Sequence, residues 1–194
     1  MIKAIIFDFF GVLAVRGFAS FAKTYYPNDT QKINQTKKLQ DQLGLGLISY
    51  DDFISALAEI GDVDRNRVLS YTEDYQPNGE LLDYIRTDLR PKYKLGIISN
   101  AGLDWVIKIL GSSNQKMFDD IILSYKVGVI KPGAEIYKIS AKNLGVKEDE
   151  CLFIDDILTY CQGAEAVGMK GLWFKDFAQM KTELEKLLST RSNN

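Results

Sequence analysis

The chain has 194 residues, 46 % of them hydrophobic and 26 % charged, which is enough for one full domain or a domain carrying a smaller insertion. Lys and Arg number 24 against 26 Asp and Glu, so a formal charge of −2 offers no global field for nucleic acid or an acidic membrane, and any anionic ligand must be held by local groups. Histidine is absent, which excludes a Ser-His-Asp triad, a Cys-His pair and the common zinc sites, and confines any chemistry to carboxylates, Lys, Tyr, Ser or a hard metal ion.

The first run, MIKAIIFDFF, is too short for a signal peptide or a membrane span, and no later apolar run approaches spanning length, so a cytoplasmic protein without a membrane partner is expected. Its apolar part, Ala4 to Phe7, reads as a buried strand. From Val15 to Gln76 no strand is convincing. Phe18, Phe21, Ala22 and Tyr25 share one helical face, and Ser49 with Asp52 caps an apolar helix running through Phe53 and Leu57. This segment reads as a small helical insertion, residues 15–76, in a core made of residues 1–14 and 77–194.

Short apolar runs then alternate with helical periods. Leu95 to Ile98, Ile121 to Leu123, Cys151 to Ile154 and Gly171 to Phe174 are the further strands, the pattern of a parallel, Rossmann-like α/β sheet covered by helices on both faces. A helix over 133–144 follows Pro132, taken as a first-turn residue, and stops before Gly145. The last helix aligns Phe177, Met180, Leu184, Leu187 and Leu188, then frays into the polar tail Ser189 to Asn194. Cys151 and Cys161 are the only cysteines; they form no CxxC motif and read as small buried residues in a reducing compartment.

Four polar features end the expected strands: Asp8 in IIFDFFGVL, Ser99 and Asn100 in LGIISNAG, Lys131 in SYKVGVIKP, and Asp155 with Asp156 in LFIDDILTY. Ligands of open α/β sheets bind outside the carboxyl ends of the strands, so these side chains should converge in one crevice. Together with the stretch AEAVGMKGLWF, they make the whole chain resemble the haloacid dehalogenase-like hydrolase superfamily, in the branch with a helical cap after the first motif.

That resemblance implies a magnesium-dependent hydrolase acting on a small phosphorylated metabolite. Asp8 becomes the nucleophile that forms an aspartyl-phosphate, a role a carboxylate can fill once its repulsion from phosphate is neutralised. Mg²⁺ prefers hard oxygens, which suits Asp8, the backbone carbonyl of Phe10, and the Asp155 and Asp156 pair, with Asp156 the preferred direct ligand. Lys131, Ser99 and Asn100 are implied to hold the phosphoryl oxygens. Arg16 and Lys126 lie near the crevice in sequence but are expected on the surface.

The pattern breaks at Phe10. Phosphatases of this superfamily carry a second Asp there, which protonates the leaving oxygen and later activates water. Phe can do neither, and general acid–base help is worth about 10²–10⁴-fold. The loss is severe for an alkoxide and far milder for an acyl phosphate, an aryl phosphate or a halide. An aromatic residue at this position also occurs in the superfamily's dehalogenases. Those lack a metal-binding acidic pair, however, and use an early cap arginine that Arg16, Arg65 and Arg67 do not match. A phosphatase of restricted leaving-group scope, a catalytically quiet phosphate-binding or regulatory protein, and a dehalogenase are therefore the three readings. Tyr160, where Asn is frequent in the superfamily, is a second departure.

Overall fold

The computed structural model describes residues 1–17, 19–72 and 74–189. In chain order its elements are β1 (Ala4–Phe7), β2 (Ala14–Arg16), α1 (Ala19–Tyr25), α2 (Thr30–Gly44), α3 (Tyr50–Gly61), α4 (Arg65–Thr72), β3 (Tyr75–Pro77) and α5 (Gly79–Tyr84). These are followed by β4 (Lys94–Ser99), α6 (Trp105–Gln115), β5 (Asp120–Leu123), α7 (Ser124–Val127), α8 (Ala134–Leu144), β6 (Cys151–Asp155), α9 (Leu158–Ala166), β7 (Lys170–Trp173) and α10 (Phe177–Ser189).

The five apolar runs form one parallel sheet of order β5-β4-β1-β6-β7. Its side chains alternate between faces, as a period of two requires. Ile5 and Phe7 of β1, with Leu152 and Ile154 of β6, join the cluster that includes Val106, Met180 and Leu184 from α6 and α10. Ala4 and Ile6, with Cys151 and Phe153, join the opposite cluster around Ile136 and Tyr137 of α8. Each fully buried aliphatic or aromatic side chain here contributes about 1.5–3 kcal/mol. Strand β1 lies between β4 and β6, so the chain leaves it in both directions and a crevice opens at the carboxyl ends of β1 and β6.

The helices between β2 and β3 bury a separate cluster of Phe21, Tyr26, Phe53, Ile54, Leu57 and Val68. Helix α3 starts with the expected capping box, Ser49 and Asp52 bonding each other's backbone N–H groups. Phe21, Ala22 and Tyr25 pack in this cluster; Phe18 lies outside the described residues. The expectation of no strand in this stretch needs correcting. Val15–Arg16 pairs antiparallel with Tyr75–Gln76, extended by Ala14 and Pro77, and this ribbon straddles both ends of the anticipated insertion. Three-residue strands are too short to leave a period in the sequence.

Helix α8 also differs slightly from expectation, because Gly133 is its N-cap and Pro132 lies before the helix. Gly145 closes it in a left-handed conformation at φ 64°. In α10, Met180 and Leu184 are buried, with Phe177, Leu187 and Leu188 packed beside them. Residues 190–194 of the expected tail lie outside the described residues. Both cysteines are free and buried, and burial pushes both thiols up to about 12. No helix among the described residues is long and apolar enough to cross a membrane.

Candidate active site

Asp8 directly follows β1, and its backbone N–H bonds the Ile154 carbonyl at 2.8 Å, which carries the β1–β6 ladder one residue past the strand. Its side chain is nearly sealed, at 8 % exposure. The chain then reverses at Gly11, whose φ of 98° suits glycine and where a Cβ would collide with the Asp156 carboxylate. Asp8 and Asp156 are thereby brought close without a side chain between them.

Lys131 is the hub of the site. Its side chain is 1 % exposed, and its ammonium lies 2.5 Å from an Asp8 oxygen and 2.6 Å from an Asp155 oxygen and sits over the rings of Phe153 and Tyr160 at 5.2 Å and 5.0 Å. Asn100 holds this lysine from the end of β4. Its side-chain oxygen accepts the Lys131 backbone N–H at 2.9 Å, and its side-chain nitrogen donates to the Lys131 carbonyl at 3.1 Å. The Asn100 amide therefore acts on the lysine loop, a use that sequence proximity to Ser99 did not reveal.

The acidic pair divides its work. One oxygen of Asp155 accepts from Lys131, and the other accepts the Ile157 backbone N–H at 2.8 Å. Asp156 is exposed at the crevice, where its carboxylate lies against Gly11, while its backbone carbonyl accepts the Trp173 indole N–H at 2.8 Å. Carboxylate oxygens of Asp8, Asp155 and Asp156 lie within 4.8 Å of one another. Burial raises the Asp8 carboxyl well above the ordinary range; Lys131 opposes the shift, and Asp155 and Asp156 add to it. Desolvation and then the Asp155 charge push Asp156 up to about 6. Three carboxylates around one ammonium carry two more negative charges than positive when ionised, and that excess fits a divalent cation bound through hard oxygen.

A cavity of about 530 Å³ opens from this cluster toward the helical segment, lined in part by Asp8, Phe10, Asn100, Lys131, Asp156 and Tyr160. Ser99 is absent from that lining. Its hydroxyl is buried and has no hydrogen-bond partner among the described residues. Phe10 is half-buried, packed against Phe9 and Tyr75 with centroids 5.0 Å and 4.7 Å away. Lys126 is exposed and paired with Asp104 at 2.6 Å, as its sequence context suggests; the Arg16 side chain lies outside the described residues. Arg65 binds Asp51 and Ser55, and Arg67 binds Tyr25; neither lines the cavity.

Sequence reasoning also missed a contact that joins the helical segment to the sheet. The Ser124 hydroxyl donates to the Gly44 carbonyl at the end of α2 at 2.6 Å and accepts the Ala101 backbone N–H at 3.1 Å. Beside it, Leu43 fills the space that a side chain at Gly102 would need.

Sheet order, strand-end carboxylates and buried lysine together define a hydrolase-type α/β site, and the chain belongs to the haloacid dehalogenase-like hydrolase family, whose model matches residues 2–168. It is 28 % identical, over 98 % of its length and 100 % of the relative's, to a D-ribitol-5-phosphate phosphatase of Bacteroides thetaiotaomicron. Among solved structures, a HAD-family enzyme from the same organism in complex with magnesium and inorganic phosphate superposes with a TM-score of 0.71 at 25 % identity, covering 92 % of this chain and 98 % of the other. A HAD-like hydrolase from Porphyromonas gingivalis gives a TM-score of 0.76 at 25 % identity, covering 98 % and 100 %.

Proposed function

We propose that the protein is a magnesium-dependent phosphohydrolase that passes a phosphoryl group through Asp8, and that its leaving-group scope is narrowed by Phe10. The observation that carries this reading is the Lys131 ammonium shared between Asp8 and Asp155, with Asp156 facing the crevice beside them. The phosphatase and the magnesium–phosphate complex among the relatives support it.

The oxygen-only donor set fits Mg²⁺. Asp8, Asp156 and the Phe10 backbone carbonyl would hold it, with Asp155 bracing Lys131 behind them. When bound, Mg²⁺ supplies positive charge that neutralises the phosphate and keeps Asp8 ionised. The chain's own residues do the rest. An Asp8 oxygen attacks phosphorus, and the leaving oxygen departs with the bonding electron pair. Water then cleaves the aspartyl-phosphate, releasing inorganic phosphate and restoring Asp8. Lys131 contributes fixed positive charge throughout, oriented by Asn100 and Asp155. The Ser99 hydroxyl at the end of β4 has no partner among the described residues, a cost of about 1–3 kcal/mol, and because it lies buried behind the cavity lining this reading requires a local shift before it can meet a phosphoryl oxygen. Residues 15–76 act as the cap that shapes the cavity above the nucleophile.

Phe10 favours a second reading, a phosphate binder without turnover. Phosphate release from acetyl phosphate, measured with and without magnesium, separates the two, since this leaving group needs no acid. The proposed enzyme releases phosphate only with the metal, whereas a quiet binder releases none. In calorimetry, Asp156→Ala should lose at least about ten-fold in Mg²⁺ affinity, since even removing a group that only braces a metal ligand costs about that much; unchanged affinity would remove Asp156 from the metal site.

A further inference from the structure

We infer that the leaving group this site accepts is aromatic: the substrate is an aryl phosphate whose ring lies against a wall of Phe10, Tyr75, Trp105 and Tyr50. The inference rests on the phosphohydrolase reading above and names the substrate class of that site. The wall starts two residues after the nucleophile. Phe10 meets Tyr75 at 4.7 Å between centroids, Tyr75 meets Trp105 at 6.3 Å and 83°, and Trp105 meets Tyr50 at 5.2 Å. All four line the cavity of about 530 Å³ that contains Asp8 and Lys131, and all four are only half-buried.

These rings are held in place before any ligand arrives. The Tyr50 hydroxyl bonds Thr72 Oγ1 at 2.8 Å, and the Tyr75 ring occupies the space above Gly17, where any Cβ would clash. Rigid aromatic surfaces favour offset or edge-to-face packing with another ring and lose little entropy on binding. Helix α2 adds Lys37, Gln40 and Asp41 to the same cavity, where they would meet polar ring substituents.

Chemistry points the same way through the same residue. With Phe10 unable to donate a proton, the leaving oxygen must depart as an anion. A phenol has a pKa of about 10, against about 16 for water, the reference for an unassisted alkoxide. Attack by Asp8 on phosphorus therefore breaks the P–O(aryl) bond with the electron pair leaving on the phenolate, which takes its proton from solvent. Water hydrolyses the aspartyl-phosphate, so one aryl phosphate and one water give one phenol and one inorganic phosphate. Phe10 thus removes the acid and supplies the first ring of the wall.

Calorimetry with phenylphosphonate and methylphosphonate, both non-hydrolysable, tests this in the presence of magnesium. Phenylphosphonate should bind at least about ten-fold more tightly, as stacking on two or more rings predicts. That preference should shrink several-fold in Trp105→Leu and in Tyr75→Leu, each checked for native circular dichroism. Equal binding of the two phosphonates, binding of neither, or an undiminished preference in both folded variants overturns the inference. Failure of the phosphohydrolase reading shows separately, as phenyl selectivity without Asp8-dependent release of phosphate. Acetyl phosphate turnover without phenyl selectivity sinks only the aromatic assignment.

Discussion

Replacing Phe10 with Asp isolates proton delivery from the rest of the site. Phe10 is half-buried against Phe9 and Tyr75. Full truncation of a buried Phe costs about 3–5 kcal/mol, so about half of that, roughly 2 kcal/mol, is the expected loss of stability. The new carboxyl would share a crevice with Asp8, Asp155 and Asp156, whose negative charges raise its pKa toward the range useful to an acid at neutral pH. The ceiling on the gain is about 10²–10⁴-fold in rate, or about 3–5 kcal/mol of barrier. A side chain placed without further adjustment should realise about 10-fold or more on an alkyl phosphate. Steady-state phosphate release from glycerol 3-phosphate and phenyl phosphate provides the assay, with folding checked by circular dichroism. Glycerol 3-phosphate turnover should rise by that factor; phenyl phosphate should gain less in kcat and lose in KM as the wall opens. A well-folded variant with no gain on the alkyl ester would refute the claim that a missing acid limits this site.

The acidic cluster makes stability depend on pH in a definite direction. Asp156 titrates at about 6 in the folded protein against an ordinary 3.8, and the folded state therefore binds more protons than the unfolded one between those values. Stability in EDTA should fall as pH rises through that window, and the slope should flatten in Asp156→Asn. Added Mg²⁺ should raise the melting temperature above pH 6 and do nothing near pH 4, where protons occupy its ligands; a magnesium effect independent of pH would contradict this. Ser124→Ala removes the bonds to Gly44 and Ala101 and should cost about 1–3 kcal/mol in urea unfolding. A change below about 0.5 kcal/mol, the ordinary scale of a surface substitution, would mean that this contact does not tie α2 to the sheet.

The sheet was legible because each central strand is buried on both faces, which leaves a continuous apolar run such as Ala4–Phe7. The crevice was legible because strand ends converge by topology, which puts Asp8 and Asp155 together; Lys131 lies beyond β5 and past α7, so strand order alone does not bring it there and the family resemblance had to. The β2–β3 ribbon was hidden by its length, and Tyr75–Pro77 by the proline that usually argues against a strand. Asn100 illustrates a different limit. Its position after Ser99 suggested a ligand contact, but a side-chain amide bonds equally well to a neighbouring loop, and only the fold shows Lys131 within reach. The aromatic wall draws on residues 10, 50, 75 and 105, whose separation in the chain carries no local pattern.

That Asp8 receives the phosphoryl group is tested most directly by trapping it. Acid quench during turnover of acetyl phosphate with magnesium, followed by peptide mass spectrometry, should find one phosphoryl group on the peptide containing Asp8, labile to hydroxylamine as an acyl phosphate is. Asp8→Asn should carry none and release no phosphate. A phosphoryl group on any other residue, or wild-type turnover in Asp8→Asn, would contradict the assignment.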